Sequence, residues 1–156
     1  PKIVDEKSRI GDWEIDTIIG KNQKRAILSI VDRASKFTIL RKLENRTSEA
    51  TKIALTNALE GYASQVYTIT SDNGSEFAKH EEISRILKVD FYFAHPYSSW
   101  ERGLNENTNG LVRQYIKKGA DLIDVTNPSL DIIASKLNDR PRKTLGYKTP
   151  KEVFHE

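Results

Sequence analysis

Among 156 residues there is no cysteine, no methionine and only three histidines. Without cysteine there can be no disulfide framework, no thiolate nucleophile and no Cys-containing zinc site, and three scattered histidines do not build a zinc finger. This composition is compatible with a reducing, cytoplasmic setting. No stretch approaches the roughly 18 uncharged apolar residues of a membrane span, and the first residues lack the basic-then-apolar order of a secretory signal, so no membrane partner is expected. With Pro1 at the start and no methionine anywhere, the chain is expected to continue a longer product. A large excess of one charge is also missing: 25 Lys and Arg face 22 Asp and Glu, a net +3. So small an excess makes no generally basic surface, and any electrostatic attraction must be local.

It is local near the C-terminus. Between Lys136 and Lys151 stand Lys136, Arg140, Arg142, Lys143, Lys148 and Lys151 against the single acid Asp139. Such a patch attracts phosphates, although a solvated basic tail has the same composition. Apolar residues make up 37% of the chain, which suits one lean core with a surface left for partners. No internal repeat or low-complexity tract breaks it.

Alternation over 12–19 sets Trp13, Ile15, Thr17 and Ile19 on one face of a strand and Asp12, Glu14, Asp16 and Ile18 on the other. Strands are predicted next at 26–31 and 36–41, with turn chemistry between them, which makes an antiparallel meander. Thr47 is placed to cap a helix whose stripe is Leu55, Ala58, Leu59 and Tyr62. A β-branched strand at 66–70 ends in Ser71-Asp72-Asn73-Gly74. A short helix with Ile83, Ile86 and Leu87 on one side, a strand at 89–94, a loop from His95 to Gly103, a helix over 104–118 and another from Asn127-Pro128 complete the order. Three meandering strands followed by alternating helices and strands predict an α/β fold: a ribonuclease H-like mixed five-stranded sheet with helices on both faces. The whole of 1–156 reads as a single domain, with 1–10 a leader, 11–118 the core and 119–156 the C-terminal helices and basic segment.

Phosphodiester chemistry requires hard cations on clustered oxygen ligands, so the question is which carboxylates converge. Asp16 is hard to dismiss, because an acid inside an apolar strand must be paired, solvated in a cleft or bound to a cation. Glu14, on the same face, is its rival. Asp72-Asn73-Gly74 reads equally as a hairpin turn, and Glu106 as a favourable charge near a helix N-terminus. Asp32, beside Arg33 at a strand end, reads as a turn residue with an adjacent ionic partner. The segment Asn105 to Gly110 combines poor helix formers with the apolar pattern of Leu111, Val112, Tyr115 and Ile116, a conflict typical of functional sites. On helical spacing Glu106, Asn109 or Gly110, and Arg113 share a face, with Lys117 one turn on. The alternative is a tight helix–helix contact at Gly110 with a solvated polar face.

Three ordered motifs, Gly11-Asp-Trp-Glu-Ile-Asp16-Thr-Ile, Thr70-Ser-Asp72-Asn-Gly-Ser-Glu76-Phe and Trp100-Glu-Arg-Gly-Leu-Asn-Glu106-Asn-Thr-Asn-Gly-Leu-Val-Arg113, resemble the integrase-core catalytic domain of DDE transposases, most closely the insertion-sequence-thirty family of bacteria. Thirty-three residues separate Asp72 from Glu106, the spacing of that family. The segment from Asn138 to Phe154 is similar to its C-terminal signature. The resemblance implies that Asp16, Asp72 and Glu106 are the catalytic acids and hold two Mg²⁺ or Mn²⁺ ions. It implies cleavage at transposon ends and joining of the 3′-hydroxyl to target DNA, by a bacterial cytoplasmic, nucleoid-associated enzyme.

Glu14, Asn73 and Asn109 are candidates to orient the acids or touch phosphate. Arg102, Arg113, Lys117, Arg140, Arg142 and Lys143 are candidate DNA contacts, and Tyr97 and Trp100 could stack on an unpaired base. Trp13 reads as core, and His95 as a loop residue outside the site. The expected partners are double-stranded DNA and further copies of the chain, as a homodimer or a higher synaptic complex; no small-molecule cofactor is implied. Two readings compete: a ribonuclease H-like, structure-selective nuclease without strand transfer, and an inactive DNA-binding or oligomerisation module.

Overall fold

A computed structural model describes residues 2–94 and 103–156, the side chains of 103–106 excepted. Five strands, β1 (Asp12–Ile19), β2 (Ala26–Asp32), β3 (Thr38–Leu43), β4 (Thr68–Ser71) and β5 (Asp90–Phe93), form one sheet in the order β3-β2-β1-β4-β5. The first three strands pair antiparallel as a meander, while β4 and β5 join parallel to β1 and to each other. The helices are α1 (Lys2–Asp5), α2 (Ser48–Glu60), α3 (His80–Leu87), α4 (Gly103–Val112), α5 (Asn127–Asn138) and α6 (Pro150–Phe154). Among the described residues none is long and apolar enough to cross a membrane.

The predicted mixed sheet and its helices are therefore present, with shifted boundaries. β3 runs two residues later than its alternation suggests because Lys36, at φ 65°, turns the chain and delays pairing until Thr38 meets Val31. The helix expected to reach residue 118 stops at Val112, and hydrogen bonds from Gln114 to Leu111 and from Tyr115 to Val112 tighten it into a turn. Ile86, expected on the packed side of α3, is exposed, and Ile83 with half-buried Leu87 makes that contact instead.

Each sheet face covers its own apolar cluster, as period-two alternation requires. Trp13, Ile15, Leu28, Ile30 and Ile69 pack with Leu55 and Leu59 of α2 and Ile83 of α3. On the opposite face Ile18, Ile27 and Leu40 meet Val112 of α4 and Leu130, Ala134 and Leu137 of α5. Trp13 is fully buried, as its sequence context predicts, and its indole donates to the Gln65 carbonyl at 3.0 Å.

After α5 the chain crosses the end of the sheet where β3 begins. Asn138 exchanges two hydrogen bonds with the Thr38 backbone, at 2.8 and 2.9 Å, and Lys36 donates to the Thr144 hydroxyl. The segment 139–149 thus leads from one face to the other, where α6 inserts Phe154. That ring stacks on Phe37 at 4.4 Å and meets Trp13 edge-on at 5.6 Å. The residues before β1 also belong to the folded unit: Val4 is buried and its carbonyl accepts from Arg33 at 3.2 Å.

Candidate active site

Ladder register sets two of the predicted acids at matching positions on neighbouring strands. β1 and β4 pair in parallel as Asp12 with Thr68, Trp13 with Ile69 and Glu14 with Thr70. Asp16, within β1, and Asp72, just past the end of β4, lie at the same offset two residues beyond the last of these pairs. β1 has its sequence neighbour β2 on one side and β4 on the other, so chain connections leave in opposite directions from that point. Ligands of α/β sheets collect in the crevice such a divergence opens.

Of the three acids on one face of β1, two are consumed internally. Asp12 is fully buried, bound by Arg9 at 2.7 Å and by the Thr68 hydroxyl at 2.8 Å. Glu14, also fully buried, meets Arg33 at 3.2 Å, with Arg33 itself only 4% exposed. Glu14 is thereby part of a buried ion pair. Asp32 is held by amides and a hydroxyl, where adjacent charges suggested Arg33. Its oxygens accept from the Gly11 amide at 2.8 Å, the Ser35 amide at 2.8 Å and the Ser35 hydroxyl at 2.6 Å. Burial raises the Asp32 carboxyl above the ordinary aspartate range against the pull of those bonds.

Asp16 keeps partial contact with solvent. One carboxylate oxygen accepts from the Thr17 amide at 2.9 Å and the other from the Asn109 side chain at 3.0 Å. Asn109, expected from the sequence to be an orienting group, lies on α4 three positions after Glu106, so helical spacing places both on adjoining turns of one face. Its own carbonyl oxygen is buried with no hydrogen-bond partner among the described residues. Asp72 is half-buried, and its Oδ1 accepts from the Gly74 amide at 2.9 Å. A Cβ on Gly74 would lie 2.9 Å from that oxygen, so a larger residue there would push the Asp72 carboxylate aside. Asp72-Asn73-Gly74 therefore forms a carboxylate-fixing turn leading into α3, and not a hairpin. Asn73 is exposed in it.

The remaining candidates separate. Tyr97, Trp100 and Arg102, with His95, lie outside the described residues, as does the side chain of Glu106. Arg113 donates to the Ile19 carbonyl at 3.2 Å and the Lys117 carbonyl at 3.3 Å, tying α4 to the end of β1. It helps to line a cavity of about 410 Å³ beside Thr17 and Asn109, which Lys118 also borders. Lys117 is exposed beyond the end of α4. Gly110 is exposed with open space about its Cα, so no tight helix contact forms there among the described residues.

Arg140, Arg142 and Lys143 lie on the crossing segment at the start of β3, the end of the sheet away from the carboxyl ends of β1 and β4. Arg142 and Lys7 there depress the Lys36 ammonium below its ordinary value, after burial as the main cause. Arg140 donates to the Tyr115 hydroxyl at 3.1 Å. Sequence reasoning passed over Glu76 and Arg46, which meet at 3.3 Å beside Thr17. Glu76 sits inside the second of the three motifs, but a lone acid in a turn carries no signal of burial.

Residues 6–99 match the family model of the integrase core domain. The chain belongs to the integrase core domain family. This integrase core is 57% identical, over its whole length, to the transposase for insertion sequence element IS4351 of Bacteroides fragilis, and covers 48% of that relative. It is 42% identical over 97% of its length to the transposase InsI for insertion sequence element IS30C of Escherichia coli (strain K12), and covers 39% of it. The chain thus spans less than half the length of these curated relatives. In architecture the integrase core resembles the catalytic core domain of BIV integrase, with a TM-score of 0.69 at 20% identity over 92% of this chain and 93% of that one. It also resembles a chain of the simian T-cell lymphotropic virus intasome in complex with PP2A regulatory subunit B56 gamma, with a TM-score of 0.75 at 20% identity, covering 95% and 55%. The ribonuclease H-like fold expected from element order is the fold of these structures.

Among the described residues no three His, Cys, Asp or Glu side chains form a metal cluster. The donor set nevertheless fits a hard divalent cation: two carboxylates carried by β1 and by the turn after its neighbour β4, each with an oxygen fixed by a backbone amide, and on Asn109, which binds Asp16, a buried amide oxygen with no partner among the described residues.

Proposed function

We propose that this integrase core is the catalytic domain of an insertion-sequence transposase that hydrolyses a phosphodiester at the transposon end and joins the freed 3′-hydroxyl to target DNA. The observation that carries the reading is the alignment of Asp16 and Asp72 at one ladder offset, with Asn109 reaching Asp16 from the helix that bears Glu106. Asp16, Asp72 and Glu106 would hold two Mg²⁺ or Mn²⁺ ions. Such ions supply a nucleophilic oxygen at neutral pH and stabilise the departing 3′-oxygen.

The chain's own residues do the rest. The Thr17 and Gly74 amides fix one oxygen each of Asp16 and Asp72, which preserves their orientation before DNA arrives. Asn109 does the same for the second Asp16 oxygen. The cavity lined by Thr17, Asn109, Arg113 and Lys118 offers a phosphate track next to the acids. Lys36, Arg140, Arg142 and Lys143 supply a separate basic surface for a second stretch of duplex. The intasome likeness supports an assembly of several copies around two DNA ends, and DNA as the substrate agrees with a bacterial cytoplasmic setting.

The test is Glu106→Gln in the longer transposase, assayed for end cleavage, strand transfer and DNA binding in parallel. Loss of both reactions with binding retained is expected. Retention of cleavage and transfer would overturn the catalytic assignment. Hydrolysis without joining by the unmodified protein would favour the nuclease reading.

A further inference from the structure

The backbone ladder between β1 and β4 ends at Glu14 with Thr70, two residues short of Asp16 and Asp72. Main-chain pairing therefore does not by itself set how the two acids face each other. Glu76 spans the gap. It lies in the turn Ser75–Phe77, which the Phe77 amide closes on the Gly74 carbonyl at 3.0 Å and the buried Phe77 ring anchors. Its Oε2 accepts from the Thr17 hydroxyl at 3.3 Å, and the Thr17 amide holds Asp16. Its Oε1 accepts from Arg46 at 3.3 Å and from the Ser75 hydroxyl at 3.4 Å. A Cβ at Gly74 would sit 3.7 Å from Glu76 Oε2 and 2.9 Å from Asp72 Oδ1, so both carboxylates converge on that glycine.

The choice of a carboxylate is informative. The Glu76 side chain is only 11% exposed, and burying its charge is costly unless a cation compensates. Arg46, entering from the connection between β3 and α2, is that cation, and its own Nε is buried without a partner among the described residues. A neutral residue would fill the space at lower cost, so packing alone does not account for an ion pair built next to two acids.

We propose that Glu76 is a positioning residue: through Thr17 on one side and the Gly74 turn on the other it sets the mutual orientation of Asp16 and Asp72, with Arg46 as its counter-charge. The inference rests on the metal-binding reading of these acids. Its test is Mn²⁺ binding to the 156-residue chain, followed by electron paramagnetic resonance, together with thermal melting. Glu76→Ala is expected to weaken Mn²⁺ binding about tenfold, the lower end of what losing a supporting partner does to a metal site. Thr17→Val, which cuts the same link from β1, should match it, and Glu76→Gln, which keeps an acceptor for Thr17, should recover most of the affinity.

A lowered melting temperature with unchanged Mn²⁺ affinity in both Glu76→Ala and Thr17→Val would overturn the proposal. Asp72→Asn separates the two levels. If it abolishes binding while Glu76→Ala does not, only the positioning role fails; if it too leaves binding intact, the carboxylate reading fails. Should the wild-type chain bind no Mn²⁺ without DNA, the variants are compared by the Mn²⁺ dependence of cleavage in the longer transposase. A tenfold rightward shift is then expected, and superimposable curves refute it.

Discussion

Replacing Glu14 by Gln preserves the shape of the side chain and removes the buried counter-charge of Arg33. The pair is 3.2 Å apart, with Glu14 wholly buried and Arg33 4% exposed, and Asp5, a second acid near that guanidinium at 4.0 Å, is itself solvent-exposed. Removing one partner of such a pair typically costs about 3–5 kcal/mol, because the remaining charge stays desolvated. For a domain of this size each kcal/mol moves the melting temperature by roughly 2–4 °C. A fall of about 6–20 °C is therefore expected, towards the lower end because the glutamine keeps one acceptor oxygen. The assay is reversible thermal unfolding followed by circular dichroism, with cleavage measured below the transition in the longer protein. Asp16→Asn should do the reverse: melting within about 1 kcal/mol of wild type, since the site is partly solvated, and no cleavage. A Glu14→Gln protein that melts like wild type yet cannot cut DNA would refute the division of these two acids into a structural and a catalytic member.

The other expectations concern the core, one titration and the basic surface. Phe154→Ala should cost about 3–5 kcal/mol, since the ring is buried against Phe37, Trp13 and Tyr62; trypsin should then cut within 139–149 at concentrations that spare the wild type. By carbon-13 NMR the Asp32 carboxyl should titrate above exposed aspartates. Since its folded pKa is raised, its contribution favours the folded state below the unfolded pKa and is lost as pH rises through the folded value. Arg142→Gln should weaken duplex binding uniformly across sequences and flatten the slope of log affinity against log salt by about 0.9 for each phosphate no longer neutralised. An unchanged slope would place DNA elsewhere on the molecule.

Much of this protein was determined locally. Alternation over Asp12–Ile19 marks β1 because successive side chains point to opposite faces, and both faces proved to be packed. Thr47 caps α2, and Thr126 with Ser129 starts α5, because short hydroxyl side chains satisfy amides that have no partner within the helix. Poor helix formers between Asn105 and Gly110 singled out α4, where the Asn109 amide is spent on Asp16 and not on solvent.

What tertiary structure alone decided is which charges pair with one another. Asp12, Glu14 and Asp16 are indistinguishable by alternation, and only the approach of Arg9 and Arg33 sets the first two in ion pairs. Asp16 and Asp72, 56 residues apart, come to matching positions on neighbouring strands through a parallel pairing whose register no local pattern encodes. Glu76 and Arg46 likewise meet from separate connections. The charge run from Lys136 to Lys151 is plain in the sequence, but its place at the start of β3 follows from Asn138 binding the Thr38 backbone. Propensity and periodicity act over a few residues, whereas the partner of a buried charge is set by chain segments that meet only once the sheet has formed.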